Sequence, residues 1–262
     1  MNGSLALVLA LISYGNNYIV NNQSSLILDF YNSTLIGYNS LVFYDNSNVI
    51  AKTPEEWFNY LKKDGCKKLR ACYIHSNQIQ SKDFQTAGAV GGGGNWIIEA
   101  VYNDHSNFWS YTMKLVDRNA TDRRIWRTEF YVIKNKKSIG EPQQTIEGAK
   151  HELSTQLRQI EIFASENKSH DYAKVFDRAI DMLSDPAPSI NYYKDFVVKE
   201  QLSLSAKQLL FSACEAYVFG GMGSWNDVYI TDEQKYQLYQ KLTEELFDQV
   251  NQSIITAINT SK

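Results

Sequence analysis

Apolar and polar positions change their period once along this chain. Through the first half they form short apolar or alternating runs cut by turns rich in Asn, Gly and Ser; from about Thr145 they recur at helical spacing. Two such regimes predict an α+β protein, with an antiparallel sheet in the N-terminal half and a helical C-terminal half. Residues 5–14, 18–20, 25–31, 40–44 and 68–75 read as strands, separated by turn signals such as Gly15-Asn16-Asn17. Between the last two runs lies the clearest helix start. Thr53-Pro54-Glu55-Glu56 sets a hydroxyl before a proline, with a glutamate three residues on, so that hydroxyl and carboxylate cap free N–H groups. This predicts a helix over 53–64 with Trp57, Tyr60 and Leu61 as its apolar stripe.

The alternation is strongest over 95–102, 108–117 and 123–134, and the connectors between these segments are short and polar. That combination predicts an antiparallel meander. In the second half Ile146, Leu153, Leu157 and Ile160 share one stripe, and Tyr172, Phe176, Ala179 and Leu183 share another. Further helices are expected over 205–219 and 231–258, the last opened by a capping box at Thr231-Asp232-Glu233-Gln234. The change of period near 136–144 divides the chain into a sheet unit, 1–137, and a helical unit, 143–262, unless the two share one core.

Composition narrows the function classes. A formal net charge of −3 gives no global reason to expect a nucleic-acid partner. The apolar run 5–12 falls short of the about 18 residues of a membrane span and lacks a preceding basic segment. It is read as a buried strand, with a signal peptide or membrane-associated segment as the alternative, and no membrane partner is expected. Cys66, Cys72 and Cys214 are odd in number and show no CxxC spacing, which fits a reducing, cytoplasmic setting. Four scattered histidines suggest no zinc site, and no cofactor motif is visible.

Candidate chemistry begins with the glycine run Gly91-Gly92-Gly93-Gly94. It leads into a strand, whereas phosphate-binding glycine loops open a helix, so it is read as a flexible connector or a lid. Strand parity then sorts the meander. Trp96, Ile98, Ala100, Trp109, Tyr111 and Met113 fall on an apolar face, and Glu99, Ser110, Thr112, Lys114, Arg127 and Glu129 on the opposite one. Tight hairpins would set Glu99, Thr112 and Arg127 in one cross-strand row. Phe219-Gly220-Gly221-Met222-Gly223-Ser224-Trp225-Asn226-Asp227 is a second constellation. Its glycines are expected to end the preceding helix, Asn226-Asp227 to make a turn, and Trp225 to anchor a partner or to plug the core. Two function classes follow. One is a non-enzymatic cytosolic recognition protein, binding a protein or peptide partner through Gly91 to Gly94, Thr112, Trp225, Asn226 and Asp227. The alternative is an enzyme acting on a small polar substrate, with Glu99 or Glu129 as general base and Arg127 as anion clamp beneath the glycine lid.

Overall fold

A computed structural model describes residues 1–21, 37, 39–76, 82–87, 94–220 and 222–260. Its first element overturns an expectation. The apolar run is the middle of a helix, α1 (Gly3–Asn21), which also takes in the expected strand 18–20. Every side chain from Leu5 to Ile12 is fully buried. A run that is apolar on all faces has no period to distinguish strand from helix, and such a helix is stable only inside a core. By length and composition Gly3–Val20 could cross a membrane, with a mean hydropathy of 1.3; in this fold 67% of that stretch is buried. Gly15 is no turn residue either. A Cβ there would lie 2.5 Å from Leu69 and 2.9 Å from Phe58, so glycine lets the helix lie close against its neighbours. The expected strand 25–31 lies outside the described residues.

Six strands form one sheet: β1 (Asn39–Asp45), β2 (Asn48–Ala51), β3 (Lys68–Ile74), β4 (Asn95–Val101), β5 (Ser106–Leu115) and β6 (Trp126–Lys136), in the order β2-β1-β6-β5-β4-β3. The antiparallel meander β4-β5-β6 is present, and β1 joins β6 in parallel, a pairing between segments distant in sequence. Helix α2 (Pro54–Lys63) begins where predicted, with the Glu56 N–H donating to Thr53 Oγ1 at 3.2 Å and the Lys52 N–H to Glu56 Oε2 at 2.7 Å. Its Trp57 stacks on Phe43 of β1 at 4.7 Å, and Phe43 stacks on Phe130 of β6 at 4.8 Å. A short helix, α3 (Asp83–Thr86), follows β3.

The C-terminal half contributes α4 (Ile146–Glu166), α5 (His170–Met182), α6 (Leu204–Glu215) and α7 (Glu233–Asn259). Helix α4 begins where the period changes, and Thr145 caps it, its Oγ1 accepting from the Gly148 N–H at 3.1 Å. Two details differ from expectation. Asp232, not Thr231, caps α7, its Oδ1 accepting from the Lys235 N–H at 2.9 Å. And α6 stops at Glu215, ahead of the glycines that were expected to end it.

Helix α1 lies against β3, β4 and α2 and is also tied to the C-terminal half. Its Ser13 Oγ accepts from the Val198 N–H, its Tyr14 hydroxyl donates to the Asp195 carbonyl, and its Asn17 bonds the Gln201 amide. The buried apolar residues of both halves form one contiguous cluster. Two asparagines satisfy the outer edge of β3. Asn16 exchanges hydrogen bonds with the N–H and carbonyl of Leu69, at 2.6 and 2.9 Å, and Asn259 does the same for Ala71, at 2.7 and 2.9 Å. Each carboxamide replaces one residue of a missing strand, so the sheet edge meets helices without leaving buried backbone groups unpaired.

Candidate functional site

The row of Glu99, Thr112 and Arg127 does not form. The turn after β4 is tight, closed by the Tyr102 N–H donating to the His105 carbonyl at 2.9 Å. Strand β5 therefore starts at Ser106, and Glu99 stands opposite Phe108 and, on its other side, Arg70. Thr112 instead faces Glu129, and Arg127 faces Lys114.

Glu99 is fully buried. Its Oε1 accepts from Ser106 Oγ at 2.7 Å and from the Ile139 N–H at 3.3 Å, and its Oε2 lies 3.8 Å from Arg70 Nη1. The same guanidinium donates to the Gly140 carbonyl and pairs with Glu141. Glu99 and Arg70 thus clamp the segment between the two halves onto the sheet. Glu129 takes part in another network, with Lys114 Nζ at 2.8 Å and the Tyr131 hydroxyl at 2.8 Å. The Lys114 bond is the main reason its carboxyl is held below the ordinary range. Arg127 is exposed. Of the three candidate catalytic side chains, Glu99 is therefore apart from the other two, while Arg127 lies two residues from Glu129 on β6 and adds to the lowering of its carboxyl.

Trp225 is fully buried, which corrects its reading as an exposed anchor. Its indole N–H donates to Thr243 Oγ1 at 2.9 Å, and its ring lies edge-on to Tyr172 and Phe176 of α5 at 5.1 and 5.3 Å. The Tyr239 hydroxyl donates to its carbonyl at 2.6 Å. Asn226 spends its amide on the Phe84 carbonyl in α3, at 2.6 Å, and Asp227 accepts from the Gly223 N–H at 2.5 Å. Trp225 and Asp227 hold the helical half together, and Asn226 ties it to α3.

Gly94 and Thr112 do meet, at a cleft. The β4–β5 ladder runs from Val101–Ser106 to Ile98–Trp109 and ends there. Beyond it, Asn95 to Ile97 remain paired with β3, while Ser110 to Leu115 remain paired with β6. The strands part, and the split opens into a cleft of about 520 Å³ whose walls include Gly94, Asn95, Trp96, Ser110, Tyr111, Thr112 and Tyr217, with Asn2 and Ser4 of the N-terminal segment. Its described lining residues are all neutral. Burial raises the phenols of Tyr73 and Tyr217 and pushes that of Tyr111 up to about 12, so the wall carries neutral hydroxyls.

Gly94 itself must be glycine, because a Cβ would sit 2.5 Å from the Ile74 carbonyl oxygen. Its N–H donates to the Tyr73 hydroxyl at 3.0 Å, which donates in turn to Asp83 at 3.1 Å. Gly91, Gly92 and Gly93 lie outside the described residues. Gly94 sits at the start of β4 and Glu99 near its end, so the expectation of a lid over Glu99 and Arg127 has no support at the glycine that is described. Asn2, Ser4 and Tyr217 carry no sequence signal for this site, since they reach it only through the placement of α1 and of the segment after α6. Comparison with protein-family models, curated proteins and solved structures finds no match.

Proposed function

We propose that this protein is a non-enzymatic recognition protein of the cytosol that binds an extended peptide segment of a protein partner in the cleft between β4 and β5. The observation that carries the reading is the divergence of the two strands after Ile98 and Trp109. It leaves two strand edges facing each other across a gap. Edges of this kind bind peptides by adding main-chain hydrogen bonds, while adjoining pockets select side chains. The neutral, aromatic and hydroxyl-bearing walls suit a peptide backbone better than they suit acid–base chemistry. Three unpaired, buried cysteines accord with a reducing compartment.

Peptides selected from a random display library on the full chain, then titrated by fluorescence anisotropy, test the reading. Thr112 is exposed on the cleft wall, so Thr112→Arg fills the cleft without disturbing the core. The proposal expects it to weaken the selected peptides by at least about tenfold with an unchanged melting temperature. Equal affinity for the variant and the wild type would contradict it.

A further inference from the structure

A second hollow, of about 460 Å³, lies between α4, α7 and the end of β3. Asn251 on its α7 wall is 3% exposed, yet neither atom of its carboxamide has a hydrogen-bond partner. Gln156 on the α4 wall likewise has a buried Oε1 with no partner. Buried amides are nearly always paired, so two unpaired ones at a single hollow point to a group that is not part of the chain. The charge of that group follows from the neighbours. Asp248 is exposed at the rim and makes no ion pair among the described residues; partial desolvation raises its carboxyl above its ordinary range, while His75 and Lys82 nearby act the other way. Glu245, also on the wall, lies 3.8 Å from Lys241. His75 stands at the β3 end, 3.3 Å from Asp83.

We propose that this hollow binds a guanidinium group, with Asp248 as counter-ion, the carboxamide oxygens of Asn251 and Gln156 as acceptors, and the ring of Tyr73 as a side wall. A guanidinium offers five N–H donors in a plane, is weakly hydrated, and reaches several fixed acceptors at once, so it meets the orphaned oxygens of Asn251 and Gln156; having no acceptor, it leaves Asn251 Nδ2 to another group of the same ligand. An ammonium presents a compact, strongly hydrated charge and matches such spaced acceptors less well. An anion would meet Asp248 and Glu245. The hollow shares Tyr73 with the β4–β5 cleft and no other of its described lining residues, and the groups proposed to hold the ligand, Asp248, Asn251 and Gln156, lie outside that cleft, so the inference stands whether or not the cleft binds peptide.

Calorimetric titration of the full chain with acetyl-arginine amide, acetyl-lysine amide and acetyl-citrulline amide tests it. The arginine derivative is expected to bind about tenfold or more tightly than the lysine derivative and the neutral citrulline isostere, with Asp248→Asn and Asn251→Leu each weakening it by about tenfold. Asn251→Leu removes an unpaired buried amide, so it should melt no lower than wild type, which separates lost binding from lost folding. Tighter binding of an acetyl-Gly-Arg-Gly amide assigns the site to arginine within a peptide, and equal affinity assigns it to a free guanidinium compound. No arginine binding at millimolar concentration, equal binding of citrulline, or unchanged affinity in both variants would overturn the proposal.

Discussion

Asn16 and Asn259 each turn a carboxamide onto one residue of β3, and both are almost wholly buried. Replacing Asn259 with Leu strands the Ala71 N–H and carbonyl away from water, at about 1–3 kcal/mol for each orphaned group. Urea denaturation should therefore show a loss of about 2–5 kcal/mol for Asn259→Leu, and a similar loss for Asn16→Leu. Trp225→Ala removes a large plug from between α5 and α7 and should cost about 3–5 kcal/mol of stability while leaving peptide affinity intact. The first role was not legible locally, because Asn16 sits in a Gly-Asn-Asn string that reads as a turn; Trp225, in its glycine-rich loop, read either as a plug or as an anchor, and the plug is what forms. What decides both is which distant element lies alongside, β3 in the first case and α5 with α7 in the second.

Elements with a clear period or a cap were legible, because local chemistry alone dictates them. Thr53-Pro54 starts α2, Thr145 starts α4, and alternation marks β4, β5 and β6. Helix α1 was not legible, since all-round burial erases periodicity. The turn between β4 and β5 was placed too loosely, and that error alone moved Glu99 out of the expected row. Lys114 is exposed while its partner Glu129 is largely covered, and the Tyr131 hydroxyl still bonds that carboxylate when the lysine is removed, so Lys114→Ala should cost about 1 kcal/mol. The depressed Glu129 carboxyl sets the sign with pH. Its small contribution is present above the unfolded carboxyl range and is lost as pH falls through the lower folded value, so the wild-type advantage over Lys114→Ala should shrink in acid. The buried pair differs in kind. Arg70→Met leaves Glu99 uncompensated and should destabilise by about 3–5 kcal/mol in thermal or urea melts at neutral pH.

Across the whole molecule, α1 is the element on which both halves depend. It lies against β3 and β4 and bonds the segment preceding α6. Because the buried residues form one cluster, thermal unfolding should follow a single transition by both far-ultraviolet and aromatic circular dichroism. Fragments 1–137 and 143–262 expressed apart should fail to fold, and two separate transitions would contradict the shared core. Strand order, the parallel β1–β6 pair and the split between β4 and β5 were beyond local reading, because each depends on where segments distant in sequence meet. The split is also where the functional account rests. Hydrogen–deuterium exchange of the full chain, with and without a selected peptide, tests that account most directly. Slowed exchange at Asn95 to Ile97 and Ser110 to Met113, with the paired Ile98 to Val101 unchanged, is the result the account predicts. Protection confined to any other surface would contradict it.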